Sequence, residues 1–109
     1  MILHHRYDDA GRPVATADDD APETAALAEF LTEEVRWVDY ATLLIERAAE
    51  AAAGRAVDSA SGNACAVDFA PNQVKITHLH LTERPALTLT TDRFRHAVSV
   101  WREFLRQSP

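Results

Sequence analysis

The sequence predicts a single α+β domain over residues 1–109, in which an antiparallel sheet of about five strands has one face covered by two helices. The first helix is long and lies in the first half of the chain, and the second is amphipathic and C-terminal. A length of 109 residues is typical of one domain. Short runs that alternate apolar and polar residues indicate half-buried strands. Two longer segments repeat apolar residues at three- and four-residue steps, the spacing of a helix with one buried face.

The chain begins with a predicted β-hairpin. Its strands are Ile2 to Tyr7 and Val14 to Ala17, and Asp9 to Pro13 forms the turn. Gly11 lies in that turn, where a residue without a side chain can adopt positive φ. The hairpin therefore accounts for the first two strands of the sheet.

A long helix is predicted next, over Thr24 to Ala53. Asp20 is suited to the N-cap, and Glu23 three residues later would complete a capping box. Gly54 is suited to the end of the helix. A helix of this length would extend roughly 45 Å, beyond the sheet that it covers. We therefore expect a break near Glu33 to Arg36, or an end that projects.

Three more strands and a second helix are predicted in the remainder of the chain. The strands are Ala64 to Phe69, Val74 to Leu81 and Ala86 to Thr90. A threonine then caps a helix that runs to Gln107, with Asp92 in its first turn. Apolar residues recur along one side of this helix, which predicts that this side covers the sheet. Both tryptophans are predicted to lie on the apolar stripes of their helices, Trp37 on the first and Trp101 on the second.

Charge is unevenly placed along the sequence. Residues 1–53 include 12 acidic and 4 basic residues, a balance of −8, and residues 54–109 include 5 acidic and 7 basic, a balance of +2. Such an acidic excess disfavours direct binding to nucleic acid, because phosphates require clustered Lys and Arg. It suits a basic protein partner, although acids can also serve only for solubility. The acids expected to bind such a partner are Asp18, Asp19, Asp20, Glu29, Glu33, Glu34 and Asp39.

The cellular compartment is indicated by cysteine usage and by the apolar segments. One cysteine cannot form an intramolecular disulfide, which is typical of a reducing compartment. The sequence contains neither an N-terminal apolar segment with a basic flank nor an apolar run of about 18 residues. We therefore expect a cytoplasmic protein without a membrane span.

No catalytic or cofactor-binding motif is found in the sequence. Cys65 lies within an apolar alternation, which favours a small buried residue over a nucleophile. The three glycines are isolated, so no phosphate-binding loop is predicted. We therefore expect no catalytic residue, no cofactor and no enzymatic activity.

Histidines provide the alternative interpretation. His78 and His80 are predicted to lie on one face of a strand, where His4 or His5 could meet them across the sheet. Imidazoles in such an arrangement could bind zinc. The ligands would come from distant segments without a compact motif, so no metal is expected. A small metal-binding protein or enzyme that uses His78 and His80, or a homodimeric regulatory or structural subunit, is the alternative function.

Several segments together resemble known small bacterial proteins. They are the N-terminal strand pair, Phe30 to Val35, the hairpin Ala64 to Leu81, Leu89 to Phe94 and Trp101 to Leu105. In these segments the chain is similar to the YacL-type proteins and to the CdiI-like immunity proteins of contact-dependent inhibition systems. YacL-type proteins have a longer insert where this chain has Thr82 to Pro85. The resemblance implies an α+β domain that works by binding, without catalysis. The first functional hypothesis is therefore a cytoplasmic protein-binding module, an immunity protein that neutralises a cognate toxin by direct binding.

Overall fold

The computed structural model describes residues 3–81 and 83–107, which form three helices and six strands. The strands are β1 (Leu3–Tyr7), β2 (Pro13–Ala17), β3 (Ala60–Ser61), β4 (Cys65–Phe69), β5 (Gln73–His78) and β6 (Leu87–Thr90). The helices are α1 (Pro22–Glu34), α2 (Val38–Ala52) and α3 (Thr91–Arg106). The predicted α+β class is confirmed. Two positions named in the sequence analysis lie outside the described residues. They are Ile2, in the first predicted strand, and Thr82, which follows the predicted strand Val74 to Leu81.

The strands divide into two antiparallel sheets, whereas the sequence predicted one sheet of about five strands. One sheet is the hairpin β1–β2, and the other has the order β3-β4-β5-β6. The outer edge of β2 is closed by Thr32 of α1. Its hydroxyl oxygen accepts the N–H of Ala15 at 2.9 Å and donates to the Ala15 carbonyl oxygen at 3.3 Å. Because β1 occupies the other edge, β2 has no free edge at Ala15 with which to join the larger sheet.

The core lies between one face of the four-stranded sheet and the helices. Residues on that face alternate with exposed residues along each strand, as expected for a sheet with one solvated side. The buried sheet residues are Ala60 in β3, Cys65 and Val67 in β4, Val74 and Ile76 in β5, and Leu87 and Leu89 in β6. Trp101 and Phe94 of α3 are the largest fully buried side chains in the described part of the chain. The predicted apolar side of α3 therefore faces the core.

The predicted long helix is broken, as expected, between α1 and α2. Val35 has non-helical backbone angles, φ −99° and ψ 73°, and its side chain is fully buried. The indole N–H of Trp101 donates to the Val35 carbonyl oxygen at 2.6 Å. This bond satisfies a buried carbonyl group that lies outside the helix. The break is therefore fixed by α3, which lies more than 60 residues further along the chain.

The start of α1 differs from the prediction. Ala21 is the N-cap and makes no side-chain capping bond. The prediction of a capping box formed by Asp20 and Glu23 is therefore wrong. Asp19 instead accepts the N–H of Ala21 at 3.0 Å, in a local turn ahead of the helix. Pro22 occupies the first turn, where its missing N–H leaves one donor fewer to satisfy.

The other helix ends follow the sequence prediction. Thr90 caps α3, and its hydroxyl oxygen accepts the N–H of Arg93 at 3.2 Å. Gly54 follows the end of α2 with a φ of +86°, the left-handed conformation that glycine adopts readily. No helix within residues 3–81 and 83–107 has the length and apolar character needed to cross a membrane.

Candidate functional site

Six of the seven acidic residues predicted to bind a partner are exposed. They occupy the segment between β2 and α1, the outward face of α1 and the first turn of α2. These residues are Asp18, Asp19, Asp20, Glu29, Glu33 and Asp39. The structure thus brings Glu29 and Glu33 to the same side of α1, one helical turn apart.

Glu29 and Asp18 each lie close to a basic side chain. Glu29 pairs with Arg84 at 2.7 Å, and Asp18 lies 3.0 Å from the His4 Nε2 atom. Both pairs are largely exposed, so their contribution to stability is small. Glu33 and Asp39 make no ion pair with any residue that the structure describes. Their negative charge is therefore not neutralised within this part of the chain.

Glu34, the seventh predicted acid, does not belong to this surface. It is only 8% exposed, and its Oε1 atom accepts the backbone N–H of Ala64 at 2.9 Å and of Cys65 at 2.6 Å. These bonds connect the end of α1 to the start of β4. A carboxylate that is buried and bonded in this way cannot contact a partner, so we correct the prediction. The sequence contained a signal, because Glu34 follows the buried Phe30 and Leu31 by four and three residues, on the same helix side.

Gly62 provides a test of the Glu34 interaction. A Cβ atom at Gly62 would lie 2.8 Å from the Glu34 Oε1 atom, too close for a non-bonded contact. We expect Gly62→Ala to displace the carboxylate from its two N–H donors and to lower the free energy of unfolding by about 1–3 kcal/mol. Denaturant unfolding measures the loss. In a Glu34→Ala background the same glycine substitution should cost much less, and an equal cost in both backgrounds would contradict this explanation.

Cys65 lies at the same junction and is buried, as predicted. The pKa of its thiol is raised to about 11, mainly by burial and also by the nearby carboxylate of Glu34. A thiol with this pKa is almost entirely protonated at neutral pH. Because the thiolate is the reactive form, Cys65 is poorly suited to nucleophilic chemistry.

The raised thiol pKa predicts a loss of stability at alkaline pH. In the unfolded chain the thiol has an ordinary pKa of 9.0, whereas in the folded chain its pKa is about 11. Between these values the folded state binds more protons, so the free energy of unfolding should fall as pH rises. Denaturant unfolding above and below pH 9.0 should therefore show a shallower pH dependence for Cys65→Ala than for the unaltered chain. Equal slopes for the two proteins would be inconsistent with the raised pKa.

The prediction that His78 and His80 share one face of a strand is wrong. Strand β5 ends at His78, three residues before the predicted end, and His80 lies in the following turn. The Nδ1 atom of His78 accepts the N–H of His80 at 3.2 Å and of Leu81 at 2.9 Å. This local bonding competes with continuation of the strand. It also leaves Nδ1 of His78 already occupied as an acceptor.

The N-terminal histidines do not meet this pair across a sheet, because β1 belongs to the other sheet. His4 lies beside Asp18, and the ring of His5 lies 5.5 Å from the rings of both Trp101 and Phe104. Burial lowers the pKa of His5, and the neighbouring His4 lowers it further. Among the described residues, no three or more His, Cys, Asp or Glu side chains are arranged to hold a metal ion.

Trp37 is exposed, so its predicted position on the buried stripe of a helix is wrong. Its exposed fraction is 72%, the largest among the exposed large apolar residues of the described chain. It is the N-cap of α2, and its backbone is extended, with φ −126° and ψ 143°. The break at Val35 therefore removes Trp37 from the helical phase that the sequence pattern assumed. Sequence reasoning located the break but not the direction in which the chain continues.

Trp37 borders a groove of about 440 Å³ between the β1–β2 turn and the link from α1 to α2. We call this the Trp37 groove. Its lining includes Asp8, Arg12, Pro13 and Val14 on one side, and Glu33, Arg36 and Trp37 on the other. The indole of Trp101 also reaches this groove from within the core. The structure thus places an exposed aromatic residue and an unpaired carboxylate around one concave surface.

The turn side of the Trp37 groove is organised by Asp8. Its Oδ1 atom accepts the N–H of Arg12 at 2.8 Å and of Ala10 at 2.9 Å, and its Oδ2 atom lies 3.3 Å from the Arg12 Nε atom. The backbone bond from Arg12 is the main cause that lowers the pKa of Asp8. Asp8 and Arg12 therefore neutralise each other within the turn.

Comparison with known proteins identifies no family for this chain. A scan against protein-family models, a search of curated proteins and a search of solved structures each find no match. The resemblance to YacL-type and CdiI-like proteins therefore stays a hypothesis.

Proposed function

We propose that this chain is a protein-binding module, an immunity protein that neutralises a basic toxin domain by direct contact. The observation that carries the proposal is the 72% exposure of Trp37 beside the acidic face of α1. Exposing a tryptophan to water is unfavourable, and burying it against a partner recovers that free energy. Tryptophan is also enriched among the residues that dominate binding energy at protein interfaces.

The charges around Trp37 favour a basic partner. Glu33 and Asp39 are exposed and make no ion pair with the residues that the structure describes. A positively charged partner surface would neutralise these carboxylates. It would also be attracted at long range, which raises the rate of association.

The position of Trp37 is fixed before any partner binds. Two residues away, Val35 is fully buried and its carbonyl oxygen is held by Trp101. On the other side, the Trp37 carbonyl oxygen accepts the N–H of Ala41 in the first turn of α2. Binding through a segment that is already ordered loses little conformational entropy. This arrangement therefore supports a binding role for Trp37.

Affinity capture from cells that make this protein tests the proposal. Three baits are compared: the unaltered chain, Trp37→Ala, and Leu79→Ala as a control that removes another exposed apolar side chain. We expect a basic protein to be retained by the first and third baits and lost with Trp37→Ala. Expression of the captured protein alone should then arrest growth, and co-expression of the unaltered chain should restore it.

Two results would contradict the proposed function. One is a captured protein that is equally retained by all three baits, since such binding would not involve Trp37. The other is a captured protein that leaves growth unaffected when it is expressed alone, which would favour a binding module without an immunity role.

A further inference from the structure

We propose that the Trp37 groove receives an arginine side chain of the partner, stacked on the Trp37 indole and paired with the Glu33 carboxylate. This inference rests on the proposed function and specifies the chemistry of its central contact. It follows from the shape of the groove, the exposed indole and the distribution of the charges in the lining.

The groove presents apolar and charged surface together. Pro13 and Val14 line it on the turn side, and the Trp37 indole lies on the other. Arginine has an apolar stem that packs on such surface and a flat cation at its end. A guanidinium group stacks on a tryptophan face, where the ring quadrupole attracts it. Both halves of an arginine side chain are therefore matched by the lining.

Among the lining charges, Glu33 is the one available to an incoming cation. Asp8 is already paired with Arg12 at 3.3 Å and accepts two backbone N–H groups. Glu33 is exposed and makes no ion pair with the residues described here. Its two carboxylate oxygens can accept a pair of parallel hydrogen bonds from a guanidinium group. The groove thus has one acceptor of the right chemistry beside its aromatic surface.

Arg36 also lines the groove, and its positive charge opposes an entering cation. Because this side chain is exposed, its removal should leave the fold intact. Arg36→Ala should therefore strengthen binding of an arginine probe. A ligand that was held by Arg36, such as a carboxylate, would respond in the opposite direction.

Lysine should be a poorer occupant than arginine. Its ammonium is a compact, strongly hydrated charge that cannot form two parallel bonds to one carboxylate. It also lacks the flat surface that stacks on an indole. Selectivity for arginine over lysine is therefore a specific consequence of this geometry, beyond a general attraction of cations to an acidic protein.

Nuclear magnetic resonance of the intact chain tests the inference, because the two tryptophans give separate indole N–H signals. Trp37 is exposed and Trp101 is buried, and Trp37→Phe assigns the signals. The probes are blocked single residues: N-acetyl-arginine methylamide, its lysine counterpart, and the uncharged norleucine counterpart. Each probe is titrated at low ionic strength, and the backbone N–H signals of Glu33 and Val14 serve as a second reporter of the groove.

We expect the arginine probe to shift the Trp37 indole and groove signals, with weaker effects from lysine and norleucine. Trp101 also lines the groove but is buried, so its indole signal should shift less than that of Trp37. Glu33→Gln should weaken arginine binding by about three- to tenfold, as expected for the loss of one charged acceptor at an exposed site. Glu50→Gln is the matched control, since Glu50 is an exposed acid near the end of α2. It should leave the affinity unchanged.

Three outcomes would overturn the inference. An equal response to norleucine would show an apolar groove without charge recognition. An equal loss of affinity in Glu33→Gln and Glu50→Gln would show general electrostatic attraction. The absence of any groove shift at the solubility limit of the arginine probe would show that no such site exists. None of these results decides whether a toxin is bound, and failure of the capture experiment would not alter the response to the probe.

Discussion

Replacement of Trp101 by alanine should lower the free energy of unfolding by about 3–5 kcal/mol, the range expected when a large buried aromatic side chain is removed. Trp101 is fully buried in α3, and its ring lies 5.7 Å from the Phe104 ring and 5.5 Å from the His5 ring. Its removal therefore leaves a cavity between α3 and the β1–β2 hairpin. Denaturant unfolding of the two proteins measures the difference.

Trp101→Phe separates packing from hydrogen bonding at this position. Phenylalanine retains much of the apolar volume but has no N–H group for the Val35 carbonyl oxygen, which accepts from Trp101 at 2.6 Å. Leaving a buried carbonyl group unpaired costs about 1–3 kcal/mol. The link between α1 and α2 should also become less rigid, and this should be seen as faster hydrogen exchange near Val35.

Trp37→Ala is the control for both substitutions at Trp101. Trp37 is 72% exposed, so its removal should change the free energy of unfolding by no more than a few tenths of a kcal/mol. An unchanged melting temperature for Trp101→Ala, or a large loss for Trp37→Ala, would show that the roles assigned to the two tryptophans are reversed.

The parts of the fold that sequence predicted correctly depend on local patterns. Alternation over Ala64 to Phe69 identified β4, and the repeat from Phe94 to Leu105 identified the buried side of α3. Thr90 caps α3 through a bond to a residue three positions away, so its role could be predicted from composition and spacing. The break in the long helix was predicted from the length that a continuous helix would reach.

The division into two sheets could not be predicted in this way, because it depends on a contact between distant residues. Thr32 of α1 closes the edge of β2 at Ala15, 17 residues earlier in the chain. Nothing in the local sequence distinguishes this threonine from an ordinary helix residue. The number of sheets is therefore set by tertiary packing, which overrides the simple pattern of strands and turns.

Prediction of the candidate site is limited in the same way, because it also depends on contacts between residues that are distant in the sequence. The acidic surface was predicted from charge alone, and six of its seven residues are exposed, in the segment before α1, on α1 and in the first turn of α2. Glu34 was assigned to this surface, although it bonds to Ala64 and Cys65, about 30 residues away. Trp37 was assigned to the core because the pattern assumed one helical phase across the break. Both errors concern the direction of a side chain at the break between α1 and α2. The spacing of apolar residues along the sequence does not determine this direction.

Reversing the charge of three exposed acids of the predicted partner surface should slow association with a basic partner by about 10- to 100-fold at low salt. The variant carries Asp20→Lys, Glu33→Lys and Asp39→Lys, and these three side chains form no ion pair with the residues that the structure describes. Glu34 is left unchanged because it is buried. Charges at the rim of an interface act mainly on the rate of encounter, so dissociation should change less.

A matched control separates the position of the charges from their number. It reverses Glu46, Glu50 and Asp58, exposed acids in the second half of α2 and in the segment after it. Each set of three reversals changes the formal net charge of the chain by six units, from −6 to 0.

Association kinetics with the captured partner, measured at two salt concentrations, should show slow, weakly salt-dependent binding for the first variant and near-normal binding for the control. Equal slowing of both variants would indicate that net charge alone steers the partner. An association rate that is the same for both variants and the unaltered chain, and that does not change with salt, would show that binding occurs on another surface.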